Sequence, residues 1–427
     1  MTARREGDRR RAAWELWRPP LVGLAGVLLV SLGAAALIGQ RDVWRTTVEG
    51  AGAQDFGIFY TSIQHYAHGR SLYAPQPPPS GFPYRTGQLN LNLPHTNVFF
   101  LPLALLSPRA GFVVWVAASL FVFICSTWRS LRALAWRLPP LAWLALAVYL
   151  VAWGPAAAFS LTFQLSFLLM GPVTAAWLAA RQGRSRTAGA WLGLAAIIKP
   201  FLLLFVPFLL LRRDRRALEA LAAVGVGMIA IGVLVFGPGA YRDWLVQLPR
   251  VTWGSHYMNA SVAGLLQRLL GRSTYEHAGD LPWLRVLLLA AAVATVGTVT
   301  IVRTARLRKD AAGVDAAWAS LLLASILLSP LGWVYYVWVA LWPVAAVIGH
   351  ERPWARRTSR DLLLVPGLGG WLWFRKMAAW GQPSLIASAT FASMYFWALA
   401  TLWWWCLGTS PIDTTPGWTD TGTDRPA

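Results

Sequence analysis

The chain has 427 residues, of which 56% are hydrophobic and 13% charged, and it carries a net charge of +20. A soluble domain has about 25% charged residues, and several apolar runs here reach the roughly 20 residues that a helix needs to cross a bilayer, so composition excludes an ordinary soluble protein. Most of the arginine lies between the hydrophobic runs, which is the pattern of cytoplasmic loops; anionic lipid headgroups fit those loops as partners, and nucleic acid does not.

Residues 1–20 are a basic tail in which Arg4, Arg5, Arg9, Arg10 and Arg11 precede the first apolar run, 21–40. No small-x-small cleavage pattern follows that run, so it reads as a retained anchor rather than a signal peptide, with the N-terminus in the cytoplasm. Residues 41–95 form a first outer loop with a Pro-rich segment at 75–83, longer than a connection requires; long ordered loops are often functional. The apolar stretch 96–107 is broken by Pro102 and Pro108 and reads as a half-span. Spans are predicted at 111–126, 141–152 and 161–180.

The stretch 187–211 has Arg181, Arg184 and Arg186 on one side and Arg212, Arg213, Arg215 and Arg216 on the other. Two positive ends on one side of the membrane favour a hairpin over a single crossing. Its tip falls at Lys199-Pro200, where proline disfavours helix in the residue before it, and is expected near the bilayer middle.

A span at 217–236 leads to a second outer loop, 237–282, with an amphipathic interfacial helix at 259–270. Spans follow at 284–302, at 316–328 and 333–348 joined by Ser329-Pro330-Leu331-Gly332, and at 362–374 and 385–407; the polar tail 408–427 is predicted to be disordered. The loops assigned to the cytoplasm hold 24 Arg and Lys and the two outer loops eight. The fold class is therefore an all-α polytopic integral membrane protein of about 10–12 membrane helices, short or re-entrant ones included, with 21–407 as one transmembrane domain. Cys125 and Cys406 both lie in apolar runs, so no disulfide framework is expected. Most of the 26 Trp residues fit the membrane interface, where an amphipathic indole is at home.

Asp55 follows the first span on the outer side. A carboxylate there can take the proton of a hydroxyl that is being glycosylated, while a lipid phosphate leaves as a stable anion stabilised by cations and amides; position alone equally allows a solvated acid at a helix end. Lys199 sits within an apolar segment, where a cation faces a cavity or partner or snorkels to the surface. His256 and Arg268 share the outer side with Asp55 and are candidates for phosphate or sugar, against the plainer readings of a loop histidine and a solvated helix face. Gln164 and Asn259 are candidate cavity-lining residues. No His-Glu-x-x-His helix, P-loop or Gly-x-Ser-x-Gly elbow occurs, and no Asp-x-Asp stands in the first outer loop, so neither a metal nor a nucleotide cofactor is expected.

Five short stretches resemble the polyprenol-phosphate-sugar-dependent glycosyltransferases of family GT87, which have the GT-C fold and include bacterial mannosyltransferases. They are Asp55-Phe56 with Tyr60, Gly69 and Tyr73; Asn90 to His95 with Leu101-Pro102-Leu103; Gln164 with Gly189, Gly193, Lys199 and Pro200; Asn259-Ala260-Ser261; and Ser329 to Trp333. The resemblance implies a GT-C-like membrane body, a polyprenyl-phosphate sugar donor with mannose first in line, a glycolipid or cell-envelope glycan acceptor, and a catalytic acid at Asp55. It also brings His95, Tyr335 and Tyr336 among the candidate substrate-binding residues. Many mannose-transferring members carry a histidine pair where this chain has Tyr335 and Tyr336, which leaves the sugar open. The alternative from a different class is a transporter or flippase of a lipid-linked sugar, which predicts movement without a new glycosidic bond.

Overall fold

A computed structural model describes residues 54–75, 89–135, 158–159, 162–251, 253–270, 282–350 and 385–408. The spans read at 21–40, 141–152 and 362–374 and both termini lie outside the described residues. Within them every regular element is helical, and an isolated antiparallel bridge joins Asn259 to Trp333. Among the described residues five helices are long and apolar enough to cross a membrane, with two shorter apolar ones at 200–211 and 334–350. The protein is an all-α polytopic membrane protein.

The helices are α1 (Gln54–Ala67), α2 (Pro108–Leu134), α3 (Ser166–Arg181), α4 (Ser185–Ile198), α5 (Phe205–Leu211), α6 (Arg215–Phe236), α7 (Gly239–Gln247), α8 (Val262–Leu270), α9 (Pro282–Ala305), α10 (Ala311–Leu328), α11 (Leu341–His350), α12 (Leu385–Ala389) and α13 (Met394–Gly408). Pro94–Leu105, Pro200–Leu204 and Val334–Ala340 are 3-10 segments. The stretch 96–107 is thus a proline-bearing 3-10 segment packed inside the protein, with His95, Thr96, Asn97, Phe100 and Leu103 buried.

Local side-chain chemistry moves several boundaries away from those read by hydropathy. Ser107 accepts from the Ala110 N–H at 3.3 Å and Pro108 suits a first helical turn, so α2 starts before its apolar run. Asp310 caps α10 by accepting from Gly313 N–H at 2.9 Å. The helix expected at 259–270 starts at Val262, because Asn259 and Ser261 turn their oxygens onto the backbone N–H groups of Ser261 and Gly264; such side chains favour caps over helix interiors.

The stretch 187–211 returns to the end it left. A Cβ added at Gly189 would lie 2.1 Å from Ala217 O, one at Gly193 would lie 2.8 Å from Leu221 O, and Gly225 faces Ile197. Contacts that advance together in number mean that α4 and α6 run parallel, so the segment between them comes back alongside. Its arms match: 14 helical residues rise about 21 Å, and five 3-10 residues with seven helical ones rise about 20 Å. Ile197 faces Gly225 near the midpoint of α6, so the tip at Lys199-Pro200, where Pro200 stops α4, sits about half-way along that apolar helix.

The two small residues four apart let the α4 and α6 backbones touch, as small-xxx-small pairs do in membranes. We expect Gly189→Ala to force the helices apart against backbone rather than a movable side chain, and to abolish accumulation of folded protein in a fluorescence-detected size-exclusion assay. A wild-type elution profile would rule out this packing.

One end of the bundle is arginine-rich. Arg212 Nη1 donates to Leu307 O at 2.6 Å, and Asp315 joins Arg181, at 3.2 Å, to His350, at 2.9 Å. The C-terminal ends of α3, α5 and α11 and the N-terminal ends of α4, α6 and α10 thus meet there. Helix α10 is the central post: 78% of its apolar window is buried in protein, against 11% for α6 and α9. Val226, Leu234, Val286 and Leu287 on those outer helices are exposed, as lipid-facing residues are.

Candidate active site

The opposite end of the bundle gathers the candidate residues. Gln164 immediately precedes α3, Lys199 follows α4, and Tyr335 and Tyr336 follow α10. Asp55 is brought to them from outside the bundle, in the first turn of α1.

Aromatic packing pins α1. Phe59 stacks on Phe100 at 4.6 Å and meets Trp115 edge-on at 5.6 Å, and Phe56 meets Phe112 at 5.2 Å. Tyr60 OH donates to Leu106 O at 2.7 Å and Gln64 Nε2 to Ala104 O at 3.1 Å, satisfying carbonyls at the end of the 3-10 segment. Tyr66 OH donates to Val235 O at the far end of α6. Helix α1 therefore runs away from the arginine-rich end, with Asp55 at its inner tip.

Asp55 is partly buried. Burial pushes its carboxyl up from 3.8 to about 6, opposed by a hydrogen bond from the Gln164 side chain and by the Lys199 charge. Gln164 Oε1 accepts from Leu165 N–H at 3.1 Å and lies 3.5 Å from Tyr336 OH, which turns its NH2 group to the carboxylate. The turn that presents Gln164 is strained: Phe163 has φ +49°, a region that costs a bulky residue about 1–2 kcal/mol. Trp115 Nε1 holds it by donating to Phe163 O at 2.8 Å. That strain is why the helix read at 161–180 begins at Ser166, with Gln164 in the turn before it rather than inside the span.

Lys199 Nζ donates to Asn92 Oδ1 at 3.0 Å and lies 5.4 Å from the centre of the Tyr336 ring. Asn92 is oriented from behind: its N–H and Nδ2 both donate to Asn90 Oδ1, at 3.0 and 3.1 Å. Asn90 Nδ2 in turn donates to Ser62 Oγ and Asn97 Oδ1. With its NH2 committed, Asn92 can offer Lys199 only its oxygen. This asparagine ladder ties the first outer loop to the hairpin tip, and sequence reasoning missed it; its signal was the Asn-x-Asn spacing at positions 90 and 92 beside Asn97.

Tyr335 and Tyr336 are buried, and Tyr335 hydrogen-bonds the Gln164 side chain. Asp55, Gln164, Lys199, Tyr335 and Tyr336 thus form one cluster. His95 stands beside it: with Thr96 Oγ1, at 3.0 Å, its Nε2 caps Ile197 O at 3.1 Å, a carbonyl that the break at Lys199-Pro200 would leave orphaned. Asn259 is fully buried and donates to Gly254 O and Pro330 O, stapling the second outer loop to the 329–334 turn.

His256 and Arg268 form a second group. Arg268 Nη1 donates to His256 O and Asn259 O, each at 3.0 Å. The His256 ring meets Trp333 at 5.8 Å, and Trp333 stacks with Tyr335 at 6.1 Å, so a row of rings connects the two groups. Burial, and the Arg268 charge after it, lower the His256 imidazole to about 4, which keeps it neutral at pH 7. Among the described residues no three His, Cys, Asp or Glu side chains come together.

A carboxylate poised near neutrality, an amide and an ammonium in one cluster can accept a proton and stabilise a nearby anion. No solved structure matches this chain. It is 29% identical over 369 residues to the polyprenol-phosphate-mannose-dependent alpha-(1-2)-phosphatidylinositol mannoside mannosyltransferase of Mycobacterium tuberculosis, covering 80% of this chain and 81% of that protein. The profile of glycosyltransferase family 87 matches residues 91–330, more than half of the chain, and this protein belongs to that family.

Proposed function

We propose that this glycosyltransferase moves a sugar, mannose in the first instance, from a polyprenyl-phosphate donor to a glycolipid or cell-envelope glycan on the outer face of the cell membrane, with Asp55 as general base. The observation that carries the reading is the meeting of Asp55 with Gln164 and Lys199 at the end of the bundle opposite the arginines. Arginine-rich ends stay cytoplasmic, which supports an outward site. The donor and a glycolipid acceptor come from the name of the mycobacterial relative; family membership favours transfer over translocation.

In this reaction the acceptor hydroxyl gives its proton to Asp55 as its oxygen bonds the anomeric carbon. The bond from that carbon to the phosphate oxygen breaks, and the polyprenyl phosphate leaves with the electron pair. Lys199, held by Asn92, keeps Asp55 ionised and offsets charge building on the phosphate. The test is incubation of purified protein with polyprenyl-phosphate mannose and a phosphatidylinositol mannoside, read by mass spectrometry for one added hexose; absence of product with every sugar-phosphate donor tried would refute the reading.

Lys199→Gln is expected to reduce kcat about 10²–10³-fold, the usual effect of removing one preorganised electrostatic donor. It also removes a positive charge that favours the ionised carboxylate, so the acid limb of the kcat/KM profile should move to higher pH. An unmoved limb would separate Lys199 from Asp55.

A further inference from the structure

Arg268 is a buried cation that the transfer chemistry leaves unused. It is only 8% exposed. Its Nε donates to Ser393 Oγ at 2.9 Å and its Nη1 to two backbone carbonyls, while Nη2 is buried with no hydrogen-bond partner. No carboxylate among the described residues pairs with it: its displacement from an ordinary guanidinium, down to about 9, has burial as its one cause. A charge taken out of water without a counter-charge is costly, and a buried donor without an acceptor calls for a missing ligand or ion.

Its neighbour can add a second donor. His256 Nδ1 accepts from Met258 N–H at 3.2 Å, so the neutral ring carries its proton on Nε2. From this pair the rings of His256, Trp333 and Tyr335 lead to the Asp55 cluster. Lys199 already supplies the cation beside Asp55, so Arg268 provides positive charge at a separate point, on the far side of the ring row.

We propose that Arg268, with His256, anchors a second anion subsite that binds a phosphate group carried by a lipid substrate. The inference rests on the glycosyltransferase reading and deepens it: one lipid-borne phosphate meets Lys199, and a separate phosphate contact is made at Arg268. The donor's single phosphate is the one that Lys199 meets, so the phosphate at Arg268 is a phosphodiester in the acceptor, which a planar guanidinium edge suits.

Binding to the purified full chain tests this assignment. The probes are polyprenyl monophosphate, phosphatidylinositol and, as a phosphate-free control, a diacylglycerol glucoside, each titrated against thermal stability. Wild type and Asp55→Asn should be stabilised by phosphatidylinositol and not by the control. Arg268→Lys keeps the charge but loses the fork, and should bind phosphatidylinositol about tenfold more weakly; a loss confined to polyprenyl phosphate would give Arg268 to the donor and overturn the second subsite. Should Arg268→Lys fail to fold, a photoactivatable phosphatidylinositol must crosslink to residues 253–270 of the wild-type protein. Unchanged binding by Arg268→Lys, or crosslinks confined to other segments, overturns the subsite while leaving Asp55-dependent transfer standing. Transfer that survives Asp55→Asn overturns the parent reading and leaves the binding result intact.

Discussion

Asp55→Asn should lose transfer by about 10²–10⁴-fold, the range supplied by a positioned general base, and yet stay folded. The second half of that expectation follows from the sign of the pKa displacement. Burial raises the carboxyl from 3.8 to about 6, so the folded protein binds this proton more tightly than the unfolded chain does. The contribution to stability is present below the ordinary value and is lost as pH rises through about 6. At neutral pH the ionised group is therefore a cost that a neutral isostere removes, and the variant should melt no lower than wild type. Activity has the opposite slope, because the base works only when ionised: kcat/KM should fall as pH drops through about 6. Turnover by Asp55→Asn within threefold of wild type, or a flat profile between pH 5 and 7, would exclude Asp55 as the base.

Asp315→Ala should lower stability strongly without touching chemistry. Its carboxylate is fully buried, accepts from Trp177 Nε1 at 2.8 Å, and pairs with Arg181 and His350. The Arg181 guanidinium also lies 5.4 Å from the centre of the Trp177 ring. One side chain thus joins α3, α10 and α11 at the arginine-rich end. Removing it strands a partly buried cation and an indole N–H, and breaking such a buried pair costs roughly 3–5 kcal/mol. The melting temperature in detergent should fall by many degrees, while the rate per folded molecule stays near wild type because Asp55 lies at the other end of the bundle. An unchanged melting temperature would mean that the cluster holds nothing together.

Much of the fold was legible because lipid imposes one rule on every span. Backbone polar groups must be satisfied within the segment, so apolar length and arginine position sufficed to read the helices and the likeness of the two flanks of 187–211. The boundaries were less legible, since Asp310, Ser107 and the strained Phe163 set them through single contacts that hydropathy averages away. The site was legible residue by residue and not as a constellation. Asp55, Gln164 and Lys199 stood out as polar groups in or beside apolar runs, and Tyr335 and Tyr336 through the resemblance to family 87. His95, named through that resemblance, and Asn259 cap a helix and staple a loop, tasks that call for a buried polar side chain.

The amino-acid order alone determined that the chain is helical, lives in a bilayer and gathers Arg181 and Arg212 with their neighbours at one end, because those properties follow from local hydrophobicity and charge. Only the folded arrangement decided that Asn92 grips Lys199, that the hairpin tip rises to Asp55, and that Arg268 keeps an unfilled donor. Each of those depends on contacts between residues far apart in the chain, and no local preference encodes such a distance.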